Sequence, residues 1–522
     1  MNFNNLHYIK ITISCFLLFL MGITYNTQGQ IQNPFYTVKF SNIGSTGEHA
    51  PFWITSNQYG SYTPSPYTSM IETGLSSPLL QDSIFSIGYG LKMTGSYDNL
   101  NYGNFWLQEA YLEGKLWFMN LRIGKKEQSS YNKNNHLSTG NLLWSENARP
   151  MPKIVLKTDE YINVPYTKGY LEFKARYEHG WFEENRQISS SFLHYKYLYG
   201  KIGGDFWING YYGFHHAAQW GGKHPVQGQT HQSLQAYKQI VMAQSANEET
   251  AFRQGEIINR IGNHLGSRDM GLIFKKTEFS GKLYWQTIFD DGSGKRWRNI
   301  RDGLWGIAYK NRDSTSLISG ITLEYLNTTD QSGHLHDIHN PEYKIIGGDD
   351  DYFNHYIYES GWSYKGFGMG HPFLTSPIYD INHSMKNQNG ETIARYFPNT
   401  KVTAWHLGIS GQFEQFRYRA MFSYSLNYGV NEPMKYFNEE TEPEKLREVM
   451  NEYNEKPFNQ LGDVYYELPA LKQFSSMVEV SFPIELFNVS MNATTRIGLD
   501  AGEWLGDSFG IYLSLSKTGM LF

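Results

Sequence analysis

Cysteine is nearly absent from this chain of 522 residues. Its single copy, Cys15, lies in an apolar stretch, residues 11–25, which follows a short, weakly basic start. Small and polar residues at 27–30 then offer a cleavage site, and this order is typical of a secretory signal peptide. We therefore predict a signal peptide over residues 1–30 and an exported mature chain without disulfide bonds.

The chain also lacks an excess of positive charge and long apolar runs. Its net charge of −5 argues against nucleic acid as a partner. After residue 25 no apolar run approaches the roughly 20 residues that cross a bilayer as a helix. Aromatic residues are plentiful instead, at 16%, with 39 tyrosines and 13 tryptophans. Such amphipathic rings suit membrane interfaces and sugar-binding surfaces equally well.

The dominant sequence period is two, which is the period of a β-strand. Residues 507–519 place Phe509, Ile511, Leu513 and Leu515 on one face, and residues 83–98 and 414–429 alternate in the same way. Roughly sixteen to eighteen such runs are separated by turn signals. A soluble sandwich would alternate too.

Two features favour a membrane barrel over a sandwich. Charged side chains such as Lys174, Arg417 and Arg419 fall inside strands, which a wet lumen permits. The chain also ends on Phe522, an aromatic residue as in many outer-membrane barrels, although Phe522 is out of phase with the Phe509 face. We predict an all-β fold, a large antiparallel transmembrane barrel over residues 76–522, because closure pairs every backbone group.

Three stretches do not alternate. Residues 230–256 and 438–457 have helical spacing and are predicted to be helical insertions in loops. Residues 31–75 are irregular and are predicted to form either a first strand or a small plug at one mouth of the barrel.

Several segments resemble one family, the Wzi-type capsule-assembly outer-membrane proteins in the form found in Bacteroidetes. The segments run in the expected order and are APFWITSNQYG (50–60), LWSENARPMPKI (143–154), FHHAAQWGG (214–222), GEIINRIGNHLGS (255–267), IFDDGSGKRWRNIRDGLWGI (288–307) and GGDDDYFNHYIYESGWSYKGFGMGHPF (347–373). Glu146, Asp290 and Asp350 depart from the pattern, where Gly, Glu and Asn are expected.

The resemblance implies a barrel of about 18 strands in the outer membrane of a Gram-negative cell, with a small helical plug at the periplasmic end. It also implies a lectin that holds capsular or exopolysaccharide, without covalent chemistry. The expected partners are this polysaccharide and outer-membrane lipid, and the expected state is a monomer. A passive saccharide channel remains the second hypothesis and an outer-membrane hydrolase the third.

Residues 290–303 combine the groups that bind acidic sugars. A flat ring allows stacking, carboxylates accept from hydroxyls, and cations pair with acidic groups. The candidate residues are Asp290, Asp291, Lys295, Trp297 and Arg298, with Arg301 close by. An ordinary polar turn explains the same composition, and a Ca²⁺ loop is disfavoured because the spacing does not fit an EF-hand.

The stretch HHAAQWGGKHP (215–225) invites a zinc interpretation. The carboxylate or cysteine that usually completes such a site is missing at fixed spacing, and His215 and His216 point to opposite faces of a strand. Interior hydrogen bonding or sugar contact is therefore favoured, with Trp220 and His224 as the candidates. We predict no metal and no cofactor.

The last candidate is Arg149 in WSENARPMP (144–152). Its neighbouring prolines restrict the backbone and fix where the next strand begins. Arg149 is expected to point into the barrel and to pair with an interior carboxylate or an acidic sugar. Paired carboxylates such as Asp290 with Glu359 leave a glycosidase open, but no recognisable hydrolase motif accompanies them, so we predict no enzyme activity.

Overall fold

A computed structural model describes most of the chain after residue 32. The described residues are 33–81, 84–99, 105–129, 135–252, 256–257, 260–290, 297–332, 336–338, 345–347, 350–379, 385–386, 392–393, 397–430 and 470–521. The predicted signal peptide, the predicted helix at 438–457 and Phe522 lie outside them.

Within these ranges eighteen long strands form one antiparallel wall. They are β1 (Phe35–Ser45), β2 (Tyr67–Gln81), β3 (Phe85–Asp98), β4 (Phe105–Leu116), β5 (Met119–Lys125), β6 (Lys153–Thr158), β7 (Leu171–Trp181), β8 (Phe192–Ile202), β9 (Ile208–Trp220), β10 (Asn263–Lys275), β11 (Phe279–Phe289), β12 (Gly303–Asn311), β13 (Gly320–Asn327), β14 (Val402–Phe413), β15 (Phe416–Asn427), β16 (Leu471–Leu486), β17 (Val489–Gly502) and β18 (Ser508–Met520). A two-residue piece, Ile162–Asn163, continues β6 against β7.

The wall is closed. Each strand pairs with its sequence neighbours, and β1 pairs with both β2 and β18, so that Phe35 lies opposite Met520. Closure removes the unpaired edges that an open sheet would present. The predicted antiparallel barrel of about 18 strands is confirmed.

The strands place apolar side chains outside and polar or small ones inside. In β18, Ile511 and Leu513 are 40% and 52% exposed, whereas Tyr512 between them is 1% exposed. The predicted face of Phe509, Ile511, Leu513 and Leu515 is therefore the outer one. Arg419, predicted to face the lumen, donates to Glu479 of the neighbouring strand at 2.9 Å.

The two ends of the barrel differ in the length of their connections. At one end, two-residue turns such as 414–415 and 487–488 join the strands, and both termini of the wall lie at this end. At the other end the connections are long, among them residues 46–66, 126–152, 221–262 and 328–401. Long loops face the outside of the cell in barrels of this kind.

Residues 31–75 contribute both a wall strand and an interior segment. Between β1 and β2, residues 46–66 fold inward and include a one-turn helix, α1 (Phe52–Thr55). The indole of Trp53 donates to Ser423 Oγ at 3.0 Å, and the backbone N–H of Phe52 donates to Asp500 at 2.8 Å. The two predicted alternatives thus coexist, and the expected barrel start at residue 76 moves back to Phe35.

Loops from the long-loop end fill the lumen. A 3₁₀ turn, Asn135–Leu137, reaches deep inside, where the Leu137 carbonyl lies 2.8 Å from His406 Nε2. Trp53, Tyr352 and Trp362 are fully buried in the same core. Among the described residues, the helical pieces in the lumen therefore enter from the long-loop end rather than closing the short-turn mouth.

The predicted helix within residues 230–256 is confirmed as α2 (Leu234–Met242). Ser233 caps its first turn by accepting from the N–H of Ala236, and Ala243 ends it in a left-handed conformation. No helix among the described residues is long and apolar enough to cross a membrane.

Candidate functional site

The predicted site residues fall at three separate places. Arg149 lies inside the barrel, Trp220 and His224 lie at the outer wall and the loop above it, and Trp297 and Arg298 lie on the turn before β12. Asp290 is half-buried directly after β11. Asp291 and Lys295 lie outside the described residues.

Arg149 is held in the lumen by a ring and a backbone carbonyl. Its guanidinium lies 4.0 Å from the Trp106 ring centroid, and Nε donates to the Gly60 carbonyl at 2.9 Å. Gly60 has φ +59° and a Cβ there would lie 2.6 Å from Arg149 Cγ, so the position requires glycine. No carboxylate of the described residues forms an ion pair with Arg149, and burial lowers its pKa to about 10.

The cavity beside Arg149 is small. It measures about 20 Å³ and is lined by cations and aromatic rings, including Arg122, Lys126, Lys153 and Trp144. That volume suits roughly one water molecule and excludes a sugar ring. Lys126 and Lys153 are already paired, with Glu113 and Glu178. As predicted, the prolines precede the strand directly, since β6 begins at Lys153.

His215 and His216 point to opposite faces of β9, as predicted. His215 faces the lumen between Tyr195 and Tyr199, whereas His216 faces outward and contacts His264. No group of three metal-binding side chains is found among the described residues.

Trp220 also faces outward, where α2 covers it. Its ring stacks on Tyr237 of α2 at 5.1 Å and contacts Phe192 at 5.0 Å. The side chain is only 6% exposed, so Trp220 forms part of the surface on which the helix packs. His224 lies in a small hairpin, Lys223–His224 with Gly228–Gln229, and its Nδ1 accepts from the backbone N–H groups of Val226 and Gln227.

In the turn 297–302, exposed residues are interspersed with two buried residues, Asn299 and Asp302, that form hydrogen bonds. Asn299 donates to the Ile288 carbonyl and to Tyr352 Oη, both at 2.6 Å. Tyr352 in turn donates to Asp302 at 2.7 Å. The two anchors leave Trp297, Arg298 and Arg301 exposed on the other side of the turn.

Asp302 ties this turn to the loop after β13. Its carboxylate accepts from the backbone N–H groups of Asp330 at 2.9 Å and Gln331 at 2.7 Å, besides the bond from Tyr352. Burial raises the pKa of Asp302 to about 7, and the hydrogen bonds oppose that rise. The turn is therefore fixed by hydrogen bonds to its buried residues Asn299 and Asp302.

Trp297 continues an aromatic row on the outer wall. Its ring lies 5.7 Å from Trp285, and the guanidinium of Arg268 lies 4.1 Å from its centroid. Across neighbouring strands Trp285 pairs with Trp305, Trp305 with Tyr325, and Tyr325 with Trp405. With 38% exposure, Trp297 offers a flat face at the mouth of the barrel.

The family model described as "Capsule assembly protein Wzi" matches residues 50–375, more than half of the chain. The chain belongs to the Wzi capsule assembly family. Among solved structures it is similar to Escherichia coli Wzi, with 14% identity, a TM-score of 0.53, and coverage of 93% of this chain and 85% of that one. That protein is described as an outer membrane protein involved in group 1 capsule assembly and as a carbohydrate-binding β-barrel. At 14% identity, the similarity between the two structures supports a shared fold and nothing further.

Two Pseudomonas aeruginosa barrels are less similar. OccK5 (OpdH) is 10% identical with a TM-score of 0.46, over 95% of this chain and 100% of that one. OprD is 9% identical with a TM-score of 0.44, over 95% and 98%. Both scores are too low to support an argument about this chain. No curated protein matches the sequence.

The Wzi family match covers most of the loops that fill the lumen and every predicted site residue, and it ends before β14. Sequence reasoning missed Asn299, Asp302 and Tyr352, which hold the Trp297 turn. Asn299 and Asp302 could have been found from the sequence. Two polar residues spaced i, i+3 in a short connection indicate a turn in which one side is held by hydrogen bonds. Tyr352 comes from a distant loop and gave no local signal.

Proposed function

We propose that this Wzi-family barrel binds capsular or exopolysaccharide at the cell surface through its long-loop end and catalyses no reaction. The Trp297 turn carries the proposal, since it places one partly exposed aromatic ring and two exposed arginines on a backbone fixed by Asn299 and Asp302. Rings stack on sugar faces, and guanidinium groups pair with acidic sugars. The carbohydrate binding described for E. coli Wzi supports this function.

The barrel resides in the outer membrane as a monomer. Its outer wall exposes apolar side chains such as Leu198, Leu323 and Leu513 around the circumference, which water would disfavour and lipid favours. The closed wall pairs each of the eighteen strands with two neighbours, as a strand that crosses hydrocarbon requires. The signal peptide predicted at residues 1–30 would direct the chain there.

A saccharide channel is the alternative, and the packed lumen argues against it. Tyr352, Trp362 and Trp53 are buried in the space that an open pore would need. In planar bilayers we expect little steady current from the wild-type protein. Sustained conductance would favour the channel. For the hydrolase hypothesis, the test is product release from labelled glycan that is lost on Asp290→Asn.

Direct binding to purified surface polysaccharide tests the lectin function. We expect Trp297→Ala to weaken binding roughly tenfold, corresponding to about 1.5 kcal/mol for a lost stacking contact. Arg298→Ala with Arg301→Ala should weaken binding to acidic polysaccharide and reduce its salt dependence. Arg312→Ala is the matched control, because Arg312 is an exposed arginine at the short-turn end.

The outcomes separate the function from its location. If the wild-type protein binds no polysaccharide of the host surface, the lectin function is wrong. If the wild type binds and the Trp297 and arginine variants bind equally well, the function stands and this turn is not the site.

A further inference from the structure

Helix α2 lies on the outside of the barrel wall. Its inward stripe, Ala236, Tyr237 and Ile240, packs with Ala218 and Trp220 on the outer face of β9. The hydroxyl of Tyr237 also bonds to that of Tyr177 on β7 at 2.6 Å. The helix in the connection between β9 and β10 therefore lies over the outer wall, whereas residues 46–66 fold into the lumen.

The exposed stripe of α2 has an apolar residue at each end and a cation between them. Leu234, Lys238 and Met242 follow one another at a spacing of four residues and so lie on one face of the helix. All three are exposed, Leu234 by 56% and Met242 by 66%. Water alone disfavours this arrangement, because two large apolar side chains lie on the face turned away from the wall.

Lys196 shows how far down the wall the helix reaches. Tyr195 and Tyr197 face the lumen, so Lys196 between them faces outward. Its Nζ donates to the Val241 carbonyl at the end of α2, where a helix favours a cation. The next outward residues of β8 toward the short turns are Leu198 and Ile202, which are 59% and 61% exposed. The end of α2 therefore lies next to this exposed apolar stretch of the wall.

We propose that α2 docks its exposed stripe, Leu234, Lys238 and Met242, on the surface of the surrounding membrane. Met242 would continue the apolar surface that begins at Leu198, and Leu234 would enter the interfacial layer. Lys238 between them matches an anionic lipid surface, with its stem along the apolar boundary and its ammonium among the headgroups. This inference rests on the membrane placement proposed above and adds a contact made by a loop rather than by the wall.

Site-directed fluorescence quenching tests the contact. Cys15 is the only cysteine, so Cys15→Ser gives a background in which single cysteines can be labelled. Met242→Cys and Leu234→Cys probe the stripe, and Leu198→Cys probes the wall. Val226→Cys is the aqueous control, since Val226 is 87% exposed in a hairpin whose Lys223 pairs with Ser189, ahead of the first residue of β8 at the long-loop end. The full chain is reconstituted in phosphatidylethanolamine–phosphatidylglycerol vesicles carrying lipids with a nitroxide quencher.

We expect labels at Leu198, Met242 and Leu234 to lose fluorescence and the label at Val226 to keep it. Quenching at Leu198 without quenching at Met242 and Leu234 overturns the docking of α2. Absence of quenching at Leu198 overturns the membrane placement itself, so the two failures are distinguishable. Equal quenching at Val226 also overturns the proposal, because the contact would then not be specific to the stripe.

The charge of Lys238 gives a second measurement. Lys238→Glu should reduce quenching at position 242 in the anionic vesicles and leave it unchanged in phosphatidylcholine alone, while Lys238→Gln should lie between. The quenching at Leu198 serves as the internal reference in each preparation. Equal quenching of all three Lys238 forms in anionic vesicles would contradict the electrostatic part of the proposal.

Discussion

The inner and outer faces of strands β8 to β10 use histidine in different ways. On the inner face His215 bonds to Tyr195 and Tyr199, both at 2.7 Å. Tyr199 and Tyr211 donate to the carboxylate of Asp269 at 2.8 and 3.0 Å. Because Tyr199 gives its proton to the carboxylate, its oxygen accepts from His215 Nε2, and His215 Nδ1 accepts from Tyr195. Every group in this chain of bonds has a partner.

On the outer face, the hydrogen bonding of the histidines is less complete. His264 donates to the Ile261 carbonyl and accepts from His216, each at 2.8 Å. Neither ring nitrogen of His194, which is fully buried beneath α2, makes a hydrogen bond of normal geometry with a described residue. The outer face therefore depends more on aromatic packing, beside a few hydrogen bonds such as that of Tyr237 with Tyr177, and the inner face more on a continuous hydrogen-bond network.

This difference indicates two levels of stability in one set of strands. The inner network links β8, β9 and β10 and belongs to the barrel. The outer contacts attach one helix, whose loss leaves the ladder hydrogen bonds intact. Local opening at a free energy below that of global unfolding is expected for such an attached element.

Breaking the inner network should have the largest effect. Asp269→Ala leaves the buried hydroxyls of Tyr199 and Tyr211 without their charged acceptor and should lower the free energy of unfolding by about 4 kcal/mol. Urea unfolding in lipid vesicles, followed by tryptophan fluorescence, measures it. Asp269→Asn keeps one acceptor oxygen and should lose less. Equal midpoints for Asp269→Ala and the parent protein would contradict a stabilising inner network.

Removing the Trp220 side chain beneath α2 should detach the helix without destabilising the barrel. Trp220→Ala deletes the contacts of the indole with Tyr237 and Phe192. It should lower the free energy of local opening of α2 by about 3 kcal/mol. Limited proteolysis should then cut within residues 221–262 while the urea midpoint of the barrel stays near that of the parent. Simultaneous unfolding of barrel and helix would show that the two faces are not independent.

A matched pair of histidine substitutions compares the faces directly. His215→Phe removes two hydrogen bonds and should lower the free energy of unfolding by about 2 kcal/mol, whereas His194→Phe removes none and should change it by less than about 0.5 kcal/mol. The same urea titration measures both. A larger loss for His194→Phe than for His215→Phe would reverse the comparison.

A smaller loss than that of His215→Phe is expected at Arg149, which lies in the lumen but is not part of the Asp269 network. Arg149→Ala removes the contact with Trp106 and the bond to Gly60 but also relieves the burial of a charge, so we expect a loss of about 1 kcal/mol. Polysaccharide binding should not change, because the adjoining cavity excludes a sugar ring. Weaker binding at unchanged stability would show that Arg149 contacts the ligand.

The alternation of the strands predicted the fold well, because one face of each strand is turned to lipid. The outward face of β18 and the opposite directions of His215 and His216 followed from the period alone. The direction of each loop did not, since residues 46–66 and 221–262 both connect neighbouring strands at the long-loop end, yet the first fills the lumen and α2 of the second covers the wall. For the site, the ring of Trp297 and the charge of Arg298 were predicted, but the anchors beneath them depend on Tyr352 from another loop.

The pairing of β1 with β18 has a consequence for how the protein folds. Phe35 meets Met520, so the last ladder of the wall cannot form until the last strand has been delivered. Contacts of such large sequence separation form slowly, since the intervening chain must first be brought together. The segment that carries Trp53 is attached to β1 and lies against β15 and β17, so it is positioned to enter the barrel before the seam shuts. Assembly would then end with a filled cylinder, and a chain lacking β18 would leave two open edges for proteases or neighbouring chains.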